Sequence, residues 1–260
     1  MKANLFKIEC ITNLHVGSGD VNFNIVDKEV EKDPVTEYPV IHASGVKGAF
    51  RVYCEEQKMD EEQKMDERKI NYIFGDKGDK TKGNPGAYRF FDAKFISRPL
   101  RVGGNASCAY IPVTTVQAIN DFLKLTSAFG CNSFGVDSIS VNFTSEFAVS
   151  SDDIKDIEGI TNLEKLKVDE ETMTALKKIL GEKFAIAKDL GKFDLPVIAR
   201  NKLDNGKSEN LWYEEFVPHS SVFGLIILTP DDDFEIEINL PVQFGGNATV
   251  GYGYCNVCKF

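Results

Sequence analysis

Apolar and polar positions along this chain change period several times. Residues 4–12 form an apolar strand that runs into a Gly-Ser-Gly loop, and a long polar loop (17–36) follows. A short apolar strand is expected at 38–42. Val46, Ala49, Phe50, Tyr53 and Cys54 then fall at the i, i+3, i+4, i+7, i+8 spacing of one helical face. That pattern predicts a helix over 45–69 with Ser44 as its cap. A loop (75–86), strands over 87–102 and 109–114, and a helix over 115–126 come next. Short strands and a helix at 169–180 occupy the middle. A hairpin (195–217), strands over 222–230 and 234–240, and a terminal strand (252–259) close the chain. Strands and helices mix without strict βαβ alternation, which predicts an α+β fold.

Two local patterns are more pointed. EEQKMD repeats in tandem at 55–60 and 61–66. A period of six does not match 3.6, so 55–69 reads as an exposed helical extension with Glu/Lys pairs. Asn205-Gly206 is the strongest hairpin signal. A two-residue turn there would set Lys202 opposite Glu209, Arg200 opposite Leu211, Ala199 opposite Trp212 and Ile198 opposite Tyr213. The hairpin reads either as a surface ribbon whose Trp packs on the body or as a projecting thumb.

Composition narrows the class. The 260 residues suffice for a sizeable core, and 42% hydrophobic with 11% aromatic content is globular. No apolar run approaches membrane-spanning length, and MKANLFKIEC lacks a signal-peptide core. Six cysteines do not suggest a disulfide scaffold, so reduced thiols in a cytoplasm are expected. Cys255 and Cys258 would face opposite sides of a terminal strand and read as packing residues.

The net charge of −10 argues against nucleic acid, but half of the 40 acidic residues lie in 55–67, 152–171 and 231–237. Arg89, Lys94, Arg98 and Arg101 face only Asp92 in their own stretch. Screening over about 8 Å lets such local charge decide.

Candidate chemistry is sparse. His15, His42 and His219 are the only histidines and form no triad pattern. His42 on an apolar strand reads as structural, and His219 has no obvious partner. His15 suits either RNA contact or a bond within its own loop. No Walker-type or dinucleotide-binding glycine motif is present. Gly45, Lys47, Gly48 and Arg51 surround a helix start whose free N–H groups suit a phosphate chain. Asp27 lies in the loop leading to that helix start. A carboxylate there can accept a proton from a 2′-hydroxyl or hold a divalent cation. The glycines from Gly245 to Gly253 form either tight bends or a loop offering N–H groups to phosphates.

Read together, the motifs resemble a known family. They are Leu14-His15-Val16-Gly17-Ser18-Gly19, Val26-Asp27, Pro39-Val40-Ile41 with Ser44, Lys47, Gly48 and Arg51, Ile73-Phe74-Gly75, Asp92-Ala93-Lys94, Leu211-Trp212-Tyr213-Glu214-Glu215, and Gly245 through Gly253. In order and spacing they resemble the backbone subunits of the Cmr-type (type III-B) CRISPR effector complex, within the RAMP superfamily. One departure stands out: Lys28-Glu29-Val30-Glu31-Lys32 follows Asp27 where the family usually has Pro, an apolar residue, Gln, Arg and Glu.

The resemblance implies a single RAMP domain over 1–260, with a modified ferredoxin-like (RRM-like) core, a catalytic loop at 17–36 and a thumb at 195–217. It implies a repeating subunit that binds guide RNA (crRNA) and cleaves complementary target RNA at intervals, by 2′-hydroxyl attack with Mg2+ or Mn2+. Partners would be both RNAs, copies of itself in a helical filament and other effector subunits, with no membrane. Asp27 would be the catalytic and metal-binding residue, with Glu214 or Glu215 as an orienting group. His15, Gly17, Ser18, Lys47, Gly48, Arg51, Arg200, Lys202, Trp212, Gly245, Gly246 and Gly251 would contact RNA. The alternatives are a non-cleaving RNA scaffold of the same complex and a β-rich carbohydrate-binding or adhesion module.

Overall fold

The structure, a computed structural model, describes residues 1–17, 26–56, 65–77, 83–103, 107–191, 193–230, 234 and 236–260, with only the backbone of residues 203 and 204. Two strands form the centre, β1 (Lys2–Cys10) and β11 (Val222–Thr229), paired antiparallel from Lys2↔Thr229 to Glu9↔Val222. Between them in sequence come β2 (Val40–Ile41), α1 (Ala43–Glu56), α2 (Glu67–Phe74), β3 (Arg89–Phe90), β4 (Ala93–Arg101), β5 (Tyr110–Thr115), α3 (Val116–Ala128), β6 (Phe147–Val149), β7 (Leu163–Lys165), α4 (Glu170–Leu180), β8 (Ala185–Ala187), β9 (Val197–Asp204) and β10 (Lys207–Glu215). After β11 follow β12 (Val242–Gln243) and β13 (Tyr254–Lys259).

The main sheet runs β12-β13-β1-β11-β4-β5-β8-β6-β7, with β2 on β4 and β3 on β11, while β9 and β10 form a separate two-stranded ladder that Lys28 bridges at Glu214. The sheet is mixed. β5–β8 and β6–β7 are parallel, and the remaining pairs are antiparallel. An α+β architecture is therefore present.

The sheet carries a core on each face. Phe6, Ile8, Phe223, Leu225 and Ile227 meet Val46 and Phe50 of α1 and Ile70 and Ile73 of α2. Leu5, Ile96 and Ile226 meet Ile119, Phe122 and Leu123 of α3 and Leu176 and Ile179 of α4. The alternation of side chains along β11 sends successive residues to opposite cores, so its run of apolar residues is buried on both sides. Gly224 sits under the Phe122 ring, where an added Cβ would lie 2.1 Å from Phe122 Cε2.

Several expected elements differ. The helix expected over 45–69 is two helices. Asp66 caps α2 in an extended conformation (ψ 141°) and accepts from Arg68 N at 3.2 Å, so the chain is not helical there. Residues 57–64, most of the tandem repeat, lie outside the described residues. Ser44 is not the cap of α1. The Asp92 carboxylate accepts from Ala43 N at 2.7 Å, and this long-range contact coincides with the break of the expected 87–102 strand into β3 and β4. Residues 234 and 236–240 form no strand.

Gly224→Ala should lower stability by about 1–3 kcal/mol, the usual cost of overpacking a filled core. A urea melt beside wild type measures it, and an unchanged midpoint would mean that Phe122 gives way freely.

Candidate functional site

Four segments meet at the base of the β9–β10 hairpin. The first is the end of β1, where Leu14 bridges Val217. The buried His15 has Nδ1 2.7 Å from the Glu215 carbonyl. A Cβ on Gly17 would lie 3.0 Å from His15 Nε2, so the absence of a side chain there makes room for the ring. This geometry gives His15 a bond that holds two distant segments together rather than the expected bond within its own loop. Ser18 lies outside the described residues.

The second segment is the Asp27 loop. Tyr213 N donates to Asp27 Oδ2 at 2.7 Å, while Asp27 N and Lys28 N both donate to Tyr213 O at 3.1 Å. Asp27 itself is exposed, and its Oδ1 has no partner among the described residues. The loop is thus fixed by its backbone and one carboxylate oxygen, with the other oxygen open.

The third segment is the hairpin. Asn205 (φ 46°) and Gly206 (φ 81°) form the expected turn, both in the left-handed region that a primed turn requires. The register departs from expectation. A bulge between Ser208 and Asn210 shifts the ladder by one, so Trp212 faces Arg200 and Tyr213 faces Ala199. The consequence is large. Arg200, Trp212 and Glu214 share one face, while Val197, Leu211 and Tyr213 share the other and are exposed. Lys202 near the tip pairs with Glu209 across the bulge at 2.5 Å.

Glu214 and Glu215 at the base are both buried and point to opposite sides. Glu214 lies 3.2 Å from Arg200 Nε and accepts from Asn247 Nδ2 at 2.5 Å. Lys28 Nζ, 3.9 Å from the same carboxylate, sits 5.1 Å over the Trp212 ring. Arg200 also lies over the Tyr252 ring at 4.6 Å. Glu215 accepts from Val30 N at 3.0 Å and from Lys32 Nζ at 3.1 Å, which closes the far end of the Asp27 loop.

The fourth segment is the glycine-rich loop. A Cβ on Gly245 would lie 2.3 Å from His15 O, and Gly246 N donates to that oxygen at 2.9 Å. Gly253 N donates to Asn13 O and Gly251 N to Ala248 O. These N–H groups close the loop on itself and on β1, so at Gly246, Gly251 and Gly253 the tight-bend reading is the one realised.

The helix start behaves differently from expectation. Lys47 is half-buried and its ammonium has no partner among the described residues. Gly48 is exposed, with nothing within 4 Å of an added Cβ. Arg51 does not face the helix start. Its guanidinium binds Glu55 Oε1 at 2.8 Å, Gly75 O at 2.8 Å and Asn71 Oδ1 at 3.0 Å, tying α1 to α2. His42 is exposed rather than buried on a strand, with Nε2 3.1 Å from Glu31 and Nδ1 3.5 Å from Asp92. His219 does have partners, Asn13 on its N–H, Ser220 on Nδ1 and the Tyr110 ring. The basic residues of 89–101 form no single surface. Arg98 is buried, Lys94 pairs with Asp33 at 2.6 Å, and Arg89 donates to the Gly86 carbonyl. Asn247 and Tyr252 are the site residues that sequence reasoning left unassigned. They lie over 30 positions from Glu214, and no local pattern joins them.

No group of three His, Cys, Asp or Glu side chains able to hold a metal occurs among the described residues. The one open carboxylate oxygen of Asp27 fits a cation bound chiefly by substrate phosphates, as magnesium commonly is. It does not make a protein cage.

Two outcomes test this framework. Glu214→Ala leaves Arg200 without its carboxylate and should destabilise by about 3 kcal/mol, the lower end for breaking a buried pair. It should also speed proteolysis within 197–215; unchanged melts and digests would deny Glu214 this role. Asp33 is held down from its ordinary 3.8 to about 2 by the Lys94 hydrogen bond, with Val35 N and Thr36 N adding to it against burial. Its contribution is present above its unfolded value and disappears as pH falls from about 4 toward 2. Asp33→Asn should therefore melt below wild type at neutral pH and converge with it near pH 2; parallel curves would exclude the pair as the source.

Comparison with known proteins places this arrangement. The family profile described as the RAMP superfamily matches residues 7–256. The CRISPR system Cmr endoribonuclease Cmr4 of Pyrococcus furiosus is 28% identical, over 99% of this chain and 95% of that protein. Among solved structures, the apo type III-B Cmr-beta complex holds a chain that superposes with a TM-score of 0.76 at 22% identity, covering 99% of this chain and 97% of that one. Oligomeric Cmr4 from Pyrococcus furiosus superposes at 0.72 with 23% identity, covering 100% and 98%. The match over nearly the whole length means that this chain belongs to the RAMP superfamily.

Proposed function

We propose that this chain is the repeating backbone subunit of a type III-B ribonucleoprotein that binds a guide RNA and cuts RNA paired to it. The carrying observation is Asp27: an exposed carboxylate, one oxygen fixed to Tyr213 N and the other open, at the base of a projecting hairpin. The Pyrococcus furiosus relative is named an endoribonuclease. A similar Cmr-beta structure is described as bound to cognate target RNA. In this reading the core is a modified ferredoxin-like sheet, copies stack along the guide, and other effector subunits join in the cytoplasm. No helix among the described residues is long and apolar enough to cross a membrane.

Pairing between guide and target reads sequence, while the protein holds backbone and shape. Lys47, unpartnered beside the start of α1 and the open Gly48, is the phosphate contact. Leu211, Tyr213 and Val197 present an apolar face on the hairpin, which serves as a thumb that wedges between stacked bases. The splayed nucleotide brings its 2′-oxygen in line with the adjacent phosphate.

Asp27 takes the 2′-hydroxyl proton as the 2′-oxygen bonds to phosphorus and the bond to the 5′-oxygen breaks. The 5′-oxygen leaves with a proton from water, giving a 2′,3′-cyclic phosphate and a 5′-hydroxyl. The same open oxygen, Asp27 Oδ1, is the group that would hold a divalent cation, which would supply positive charge to the scissile phosphate in place of that proton transfer. The Tyr213 N–H and the Glu215–Val30 bond keep the loop from swinging, so the carboxylate meets the RNA in one orientation.

Asp27→Asn keeps size and removes charge. Single-turnover cleavage of a labelled, guide-complementary RNA with magnesium or manganese should fall by about 10²–10⁴, with target binding retained. A variant that binds normally and cuts within about a factor of three, well under that range, would place the catalytic group elsewhere.

A further inference from the structure

A cavity of about 450 Å³ lies between the loop that follows Asp27 and the segment that enters the hairpin. Arg98 of β4 lines it and is only 6% exposed. One guanidinium nitrogen, Nη1, donates to the Asp194 carbonyl at 3.3 Å; Nε has no partner, and no carboxylate is within ion-pair distance among the described residues. A buried guanidinium without a counter-ion or a full set of acceptors is costly. Burial pulls its pKa below the ordinary value, opposed by the more distant charges of Glu158, Asp194 and Glu215. Tyr38 and Phe193 line the cavity as half-buried rings, and the Tyr38 hydroxyl is anchored 2.7 Å from Thr115 Oγ1. Glu37, Asp189 and Asp194 are exposed around it.

This lining restricts the occupant. It must accept hydrogen bonds from Arg98, lie flat against aromatic rings, and donate toward carboxylates. A lone phosphate meets the first demand but is repelled by three acids, while Lys32, the other cation of the lining, is already paired with Glu215 at 3.1 Å. A cation meets the last but is repelled by Arg98. Guanine meets all three. Its O6 and N7 form an acceptor edge that matches arginine, and its N1–H and amino group donate from the adjacent edge. Adenine sets an amino donor beside N7, against the guanidinium. Reading an unstacked base between aromatic side chains, on these two edges, is how single-stranded RNA is recognised with base preference. The volume lies within the range of small-molecule sites and exceeds one base, leaving room for its ribose.

We infer that this cavity receives an unstacked guanine, read by Arg98 on the O6/N7 edge and by the surrounding carboxylates on the Watson–Crick edge. The inference rests on the reading of this chain as an RNA-binding subunit and adds a base preference to it. A guanine delivered by a bound strand and a free guanine nucleotide share this chemistry.

The test uses the intact chain without divalent metal, and fluorescence polarisation of labelled ten-nucleotide oligouridines carrying one central G, A or C. The G oligonucleotide should bind about tenfold tighter than the A one, within the discrimination a bidentate arginine contact gives. Arg98→Met should erase that preference without lowering Tm, since no counter-ion is lost. Asp194→Asn keeps the carbonyl that Arg98 uses and should narrow the preference. GMP that competes where AMP does not would show that the free nucleotide suffices. Preference without GMP competition would show that the strand delivers the base. Equal binding of all oligonucleotides, or a preference that survives Arg98→Met, overturns the guanine site and leaves RNA binding standing. Absence of binding to every oligonucleotide and to GMP overturns both. Should Arg98→Met not fold, the wild-type base series and Asp194→Asn still decide.

Discussion

Two consecutive buried carboxylates hold the segments around the base of the hairpin together. A carboxylate removed from water is unfavourable unless donors and cations surround it. Glu214 and Glu215 lie on opposite faces of one strand, so each must find its own set. Glu214 draws Arg200 from β9 and Asn247 from the glycine-rich loop, with Lys28 near by. Glu215 draws Val30 and Lys32 from the Asp27 loop, and its carbonyl takes His15 from the end of β1. Four segments far apart in sequence are thereby locked to two adjacent residues. Asp27 itself stays exposed, held by its backbone and by one carboxylate oxygen on Tyr213 N.

The central sheet supplies the rigid base for this clamp. β1 and β11 are buried against helices on both faces, which fixes where His15 and Val217 emerge. β13 pairs with the other edge of β1, with Cys10 opposite Cys255, and so sets the approach of the glycine-rich loop. At Gly245 and Gly253 that approach is too close for any side chain, with Cβ positions 2.3 and 1.9 Å from the carbonyl oxygens of His15 and Phe244. The glycines therefore serve packing between segments as well as turn geometry. The hairpin lies outside the main sheet and keeps Val197, Leu211 and Tyr213 exposed on one face.

Much of this was legible in the chain. Local patterns depend on neighbours within a few residues, and these set the apolar face of α1, the strands around Ile8 and Leu225, helices α3 and α4, and the Asn205-Gly206 turn. The opposed directions of Glu214 and Glu215 followed from strand alternation alone. The ordered motifs led to the RAMP superfamily before any fold was in view. What local pattern could not give was decided by contacts distant in sequence. Asp92, 49 residues from Ala43, caps α1 in place of Ser44 and divides a strand. A one-residue bulge moved Arg200 beside Trp212 and Glu214. Arg51 joins α2 rather than facing the helix start, because Asn71 and Gly75 offer its fork two oxygens. Arg98, read as part of a basic stretch, proved to be a buried cation lining a cavity, since register and burial are properties of the assembled sheet. Composition and spacing determined the order of the elements and the opposed faces of Glu214 and Glu215; which residues share a site was decided only when the buried charges had found their partners.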